Sequence, residues 1–250
     1  MKSESYGAFA WAYDKGLGQR FFRAAKRVLI RLLEKYPTDR KTHLDVACGT
    51  GLAVDFFRAR GWSSVGVDLS LEMLAVARRR RARRLVTGDF RQLPLRGTFS
   101  RITCLYDSLN HLESTEELEA AFAGVRSVMD RGSLFFFDMN HPDVYPAVWG
   151  MNEPFVAEGA DYRLELATAY RRRDATGLAL VTGWALLPGG TRVEIHERHE
   201  QRAFSEGEIA AAVRAGGLVP VEVIDFDPYH DTNPGRVKLF FVCRRKSASK

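Results

Sequence analysis

Apolar positions change their period several times along the chain, and those changes divide it into parts. Between Thr42 and Asp138 short apolar runs alternate with longer stretches of helical apolar spacing, the pattern of repeated βαβ units on a parallel sheet. The short runs predict strands over Thr42–Val46, Ser64–Val67, Arg84–Thr87, Arg101–Leu105 and Ser133–Asp138. The stretches between them predict helices over Ala53–Arg60, Glu72–Arg81 and Glu116–Met129. Ser70 before Glu72, and Ser114 before Glu116 and Glu117, have the composition of helix N-caps. Upstream, Gln19–Lys35 reads as an amphipathic helix closed by Pro37, placed to cover the sheet or a bound ligand. Downstream, apolar and polar residues alternate over Tyr162–Arg172, Leu178–Leu187 and Thr191–Gln201 around Pro188, Gly189 and Gly190, which predicts three or four antiparallel strands. A helix over Glu206–Ala215 and strands over Leu218–Phe226 and Val237–Arg244 follow. The expected fold is α/β: a doubly wound, mostly parallel seven-stranded sheet with an antiparallel β insert after the fifth strand. Its parts are a helical lid segment (1–40), a ligand-binding core (41–140), the β insert as lid or dimer surface (141–203) and a return to the core (204–250).

The composition, with 46% hydrophobic and 27% charged among 250 residues, suits one globular core with an elaboration. No run approaches the roughly 18 to 20 apolar residues of a membrane span, and Met1 to Phe9 has no signal-peptide core, so a cytoplasmic location is expected. The charge of +6 rests on one segment. Arg78, Arg79, Arg80, Arg81, Arg83 and Arg84 account for the whole excess of 37 basic over 31 acidic residues. A nucleic-acid partner recruited by this run is one reading, and a solvated helix end is the plainer one. Cys48, Cys104 and Cys243 are odd in number and widely spaced, which fits buried thiols better than a disulfide framework.

The chemistry concentrates in Asp45-Val46-Ala47-Cys48-Gly49-Thr50-Gly51, which leaves one predicted strand and opens a helix. Glycine at such a turn lets the backbone come close to a ligand. Asp68 at the second strand end is placed to accept hydrogen bonds from ribose hydroxyls. Asp89 after the third strand can accept from an adenine amino group, with Phe90 against the ring. A dinucleotide fingerprint needs a third glycine where Val54 stands. His196 and His199, three apart on a strand, point to opposite faces and cannot easily share a metal ion, so no metal is expected.

With its acidic residue before Gly-x-Gly and its acid at the second strand end, the chain resembles the class I S-adenosylmethionine-dependent methyltransferases over Tyr6 to Asn140 and the closing helix and strands. That resemblance implies a Rossmann-like sheet and S-adenosylmethionine as cofactor. Ala47, Gly49 and Gly51 would face the methionine part, Asp68 the ribose, Asp89 the adenine, and Met73 the adenine side. Asp45, Thr50, Leu69, Phe90 and Tyr106 complete the expected cofactor set. Ala47 departs from the glycine frequent in the family.

Methyl transfer is an in-line displacement, so the acceptor belongs beyond the fourth and fifth strands, at Leu105 to Leu112 and Phe137 to Pro142. A histidine such as His111 can take a proton there, or else serve as a structural cap. Ala10-Trp11-Ala12-Tyr13-Asp14 and Ser108-Leu109-Asn110-His111 resemble segments of bacterial amino-sugar N,N-dimethyltransferases, which implies that Tyr13 and His111 face the acceptor. Asn110, Asn140 and Trp149 are candidate substrate contacts. Tyr106-Asp107-Ser108-Leu109-Asn110 and His199-Glu200-Gln201-Arg202-Ala203-Phe204 are similar to a poorly characterised group of bacterial small-molecule methyltransferases. The Asn-Pro-Pro-Tyr type sequence that grips a flipped base is missing after strand four. The expected partner is therefore a small-molecule methyl acceptor through N or O, with nucleic acid disfavoured and no membrane. A homodimer through the insert and a non-catalytic cofactor-binding protein stay open.

Overall fold

The computed structural model describes residues 2–80, 82, 84–151, 153–228 and 237–247. Arg81 and Arg83 of the arginine run lie outside the described residues. In chain order the elements are α1 (Lys2–Tyr13), a π-helical turn (Asp14–Gly18), α2 (Gln19–Lys35), β1 (Thr42–Val46), α3 (Leu52–Arg58), β2 (Ser63–Asp68), α4 (Leu71–Arg79), β3 (Leu85–Thr87), β4 (Arg101–Cys104), α5 (Thr115–Ser127), β5 (Leu134–Asn140) and the short α6 (Val144–Ala147). Then come β6 (Phe155–Gly159), β7 (Tyr162–Arg171), β8 (Thr176–Leu186), β9 (Arg192–Arg202), α7 (Glu206–Ala215), β10 (Leu218–Phe226) and β11 (Lys238–Arg245).

Seven strands form one sheet in the order β10-β11-β5-β4-β1-β2-β3, and β6 to β9 form a second. Strands β1 to β5 pair in parallel, whereas β11 runs antiparallel to both β5 and β10. A central strand covered on both faces reads as a near-continuous apolar run, and β5 opens that way with consecutive phenylalanines before its buried Asp138 and Asn140. Phe135 and Phe137 pack on one face with Phe122 and Phe241, while Phe136 packs on the other with Phe240 and the buried stripe of α2. Strand order reverses between β1 and β4, so a crevice opens at their carboxyl ends. Ser70 and Ser114 cap α4 and α5 as expected, each accepting a backbone N–H with its side chain.

The insert has four strands, the upper of the two counts expected, with β6 added ahead of the three alternating segments. One feature differs from the expectation: α1 is a helix that the apolar spacing did not reveal. Ala8, Phe9, Ala10 and Ala12 are all buried between α4 and the inner face of the insert, where Tyr162, Leu164, Val181 and Ile195 meet them. A helix enclosed on opposite sides has no polar stripe, hence no amphipathic period. The described arginines of the run are largely engaged: Arg80 pairs with buried Asp14, Arg79 lies over Trp11, and Arg84 donates to Ser63. Among the described residues no helix is long and apolar enough to cross a membrane.

Helix α5 approaches the turn after Asp89 so closely that a Cβ on Gly124 would stand 2.4 Å from the Phe90 carbonyl oxygen. Helix propensity alone makes Gly124→Ala stabilising by about 1 kcal/mol, but the backbone clash costs about 1 to 3 kcal/mol. Denaturant titration should therefore show a lower midpoint for the alanine variant. A raised midpoint would mean that helix and turn separate freely.

Candidate active site

The turn after β1 is held in left-handed backbone at Ala47 (φ 53°), Gly49 (φ 52°) and Gly51 (φ 81°). The Cys48 N–H donates to the Val67 carbonyl at 2.9 Å, which ties the turn to β2. Ala47 carries a Cβ where the backbone favours glycine, at a cost of roughly 1 to 2 kcal/mol. Nothing stands within 4 Å of a Cβ added to Gly49, so the turn faces open space there. At the end of β2, Asp68 accepts the Gly49 N–H on one carboxylate oxygen (2.7 Å) and the Ser70 N–H on the other (2.8 Å). Burial raises its pKa, and these backbone donors partly offset that. Each oxygen retains a second lone pair.

Beneath the turn lies a buried polar chain. The Thr103 hydroxyl donates to Asp45 at 2.5 Å, so it accepts from His43 Nε2–H at 2.9 Å. That leaves His43 Nδ1 to accept from the Ser64 hydroxyl at 2.7 Å. The His43 ring stacks on Phe57 at 3.6 Å, and burial pushes its pKa well down, so the imidazole is neutral. Burial lifts Asp45 to about 7, against the Thr103 hydrogen bond and with help from the Asp68 charge.

Other expected cofactor residues gather around the same crevice. Leu69 is exposed at its rim, and Met73 is buried against the α1 cluster. Asp89 caps its own turn through the Arg91 N–H (2.8 Å) and pairs with the Arg91 guanidinium at 2.6 Å, which holds its carboxyl below the usual range. Both Asp89 oxygens thus already have partners, and Phe90 packs half-buried on the core.

The end of β4 is shaped by contacts that the sequence did not announce. Tyr106 (φ 65°) and Asp107 (φ 48°) are consecutive non-glycine residues in left-handed backbone. Their N–H groups donate to Asp138 of β5 at 2.6 and 3.1 Å. Lys238, the buried first residue of β11, donates to Asp107 and, at 3.1 Å, to Asp138. Gln201 of β9 donates to Asp107 and accepts from Asn140 and from the Tyr145 hydroxyl, both at 2.9 Å. The available signal was an ionisable residue inside an apolar strand, which needs a partner.

Tyr13 is brought to this place, its ring 5.4 Å from that of Tyr106, which stacks in turn on Phe21 at 4.3 Å. His111 donates Nδ1–H to the Glu200 carbonyl at 2.9 Å, and its Nε2 faces the Gln201 amide nitrogen at 3.3 Å. Asn110 is fully buried and spans two backbones, accepting from the Asn140 N–H (3.0 Å) and donating to the Arg202 carbonyl (2.9 Å). In this arrangement both ends of its amide are engaged by the fold rather than turned to a ligand. Asn140 is likewise spent on Gln201 and Tyr145, and Trp149 packs with Tyr145 in a cluster separate from that of Phe9, Tyr13 and Tyr106. Hollows of about 420 and 520 Å³ flank α2, beside β6 and β10 respectively, and neither is lined by a residue of the glycine turn. Among the described residues, no three His, Cys, Asp or Glu side chains converge as metal ligands.

Residues 44–132 match a methyltransferase domain family. The chain is 30% identical over 200 residues to the dTDP-3-amino-3,4,6-trideoxy-alpha-D-glucopyranose N,N-dimethyltransferase of Streptomyces venezuelae, a match covering 74% of this chain and 78% of that enzyme. It is 36% identical over 119 residues to the dTDP-3-amino-3,6-dideoxy-alpha-D-glucopyranose N,N-dimethyltransferase of Streptomyces fradiae, where the match spans 46% of each protein. In fold it is similar to a S-adenosylmethionine-dependent methyltransferase from Clostridium acetobutylicum, with a TM-score of 0.78 at 23% identity over 96% of this chain and 98% of that one. The chain belongs to the class I S-adenosylmethionine-dependent methyltransferases. The crevice suits that cofactor: the Thr50 hydroxyl is buried without a partner among the described residues, and the turn beside it opens at Gly49.

Asp45 gives the apo fold a measurable pH dependence. A carboxyl raised from 3.8 to about 7 stays protonated in the folded chain where the unfolded chain has already lost the proton, so its contribution to stability falls as pH rises from about 4 to 7. The stability of Asp45→Asn relative to the unchanged chain should grow across that window, by at most about 1.4 kcal/mol per pH unit for one proton. A difference flat with pH, in denaturant titrations from pH 4 to 8, would place the Asp45 charge in a solvated site.

Proposed function

We propose that the chain methylates the amine nitrogen of a small amino sugar, with His111 taking the proton and Tyr13 lining the acceptor side. The observation that carries this reading is the tautomer of His111. Its Nδ1–H is committed to the Glu200 carbonyl, which leaves the Nε2 lone pair as a proton acceptor. The 3.3 Å Gln201 contact occupies that lone pair weakly and gives way to a better donor. Support for a sugar amine comes from the two dTDP-amino-sugar N,N-dimethyltransferases to which the chain is similar.

S-adenosylmethionine supplies a methyl group on a positive sulfonium, and the chain's residues do the rest. Gly49 and Gly51 admit the methionine part, and Asp68 offers its outer lone pairs to the ribose hydroxyls. Leu69, Met73 and Phe90 give the adenine an apolar slot, and Asp89 shares its carboxylate between Arg91 and the adenine amino group. Tyr106 and Tyr13 close the crevice where the methyl group meets the acceptor. His111 Nε2 would take the proton of a sugar ammonium, and the freed amine lone pair would then be open to the methyl group that the cofactor's sulfonium supplies. The products would be a methylated ammonium and a neutral thioether, with the proton held by His111 returned to solvent.

His111→Ala should lower the maximal rate by about 10² to 10⁴ fold, with affinity for S-adenosylmethionine nearly unchanged by isothermal titration. A raised Michaelis constant for the acceptor with the saturated rate preserved would instead assign His111 to binding alone.

A further inference from the structure

Strand β9 turns alternate side chains to the same face, and its inner face sets His199 beside Gln201, next to His111. The His199 ring lies 5.0 Å from Phe9 of α1 and 6.2 Å from His111. Gln201 has Asp107, Asn140, Tyr145 and His111 as partners, and His111 has the Glu200 carbonyl and Gln201. His199 Nε2, by contrast, is buried without a hydrogen-bond partner among the described residues. A buried polar atom left so is unfavourable, and a site beside the proposed proton acceptor is where a ligand would meet it.

We propose that His199 is a specificity residue: its Nε2 accepts a hydrogen bond from a hydroxyl carried next to the reacting amine, so that the site selects vicinal amino alcohols. The inference rests on the amino-sugar reading above and extends it by one contact. The imidazole is suited to this because burial, with His111 adding to it, lowers its pKa to about 4 and keeps the ring neutral. A neutral ring has one nitrogen free to accept, whereas a protonated ring has none. Its neighbours also separate it from any metal role: His196, three residues away, is on the exposed face of the strand. Phe9 holds the ring from the α1 side, so the lid helix positions this contact.

The test uses the 250-residue chain with dTDP-3-amino-3,6-dideoxy-alpha-D-glucose, an amino sugar with hydroxyls on both carbons beside the amine. His199→Phe keeps a flat ring against Phe9 and removes the nitrogen, and His199→Ala covers the case in which the larger ring does not fit. In both variants the Michaelis constant for this acceptor should rise about tenfold or more, the saturated rate should fall much less, and the dissociation constant for S-adenosylmethionine should stay within about twofold. His199→Gln, which keeps an acceptor atom, should recover part of the affinity. Methylation with an unchanged Michaelis constant in the phenylalanine and alanine variants overturns this proposal alone. A weakened hold on S-adenosylmethionine in both also overturns it, by making the ring a support of the cofactor site. If the unchanged chain does not methylate the probe, the amino-sugar reading falls and this proposal with it.

Discussion

Lys238 begins β11 inside the sheet, where it meets Asp138 of β5 and Asp107 beyond β4, and the end of β4 takes its shape from the charges these three share. Two carboxylates buried side by side would force one to hold a proton; the ammonium allows both to serve as acceptors. Burial pushes Asp107 up, yet Lys238 and the Gln201 amide outweigh it and leave that carboxyl below its ordinary value. Asp138 goes the other way, raised by burial and by the Asp107 charge against the pull of Lys238. Asp138 pins the N–H groups of Tyr106 and Asp107 in left-handed backbone, a conformation that costs about 1 to 3 kcal/mol per residue and persists only when surroundings over-determine it. Removing one member of such a group leaves an uncompensated buried charge, so the arrangement specifies a geometry more than it adds stability.

From that geometry follows the half of the crevice proposed here for the acceptor. Tyr106, turned out by its backbone, stacks on Phe21 and meets Tyr13, while Asp107 engages Gln201, whose amide reaches His111. The cofactor half is built differently, from the turn after β1 and the carboxylate of Asp68, which joins that turn to the end of β2. One half is local in sequence, and the other is assembled from β4, β5, β9 and β11.

This division explains what the sequence could reveal. The strands and helices of the parallel core, the caps Ser70 and Ser114 and the glycine turn are local, so period and composition expose them within a residue or two. Helix α1 escaped because Ala8, Phe9, Ala10 and Ala12 are enclosed from several sides and leave no period. The charged trio escaped because Lys238 and Asp107 are 131 residues apart, and a lysine at the head of an apolar strand does not say which carboxylate it will meet. The amide of Asn110 joins the backbones of Asn140 and Arg202, a pairing that only the folded chain displays.

A crystal structure with S-adenosylhomocysteine tests most directly the claim that the crevice at the ends of β1, β2 and β4 joins a cofactor half to an acceptor half. The ribose hydroxyls should lie within hydrogen-bonding distance of Asp68, and the sulfur should point toward Tyr13, Tyr106 and the His111–His199 pair. A nucleoside bound instead in the hollow between α2 and β6, or a sulfur directed away from the two histidines, would contradict the account.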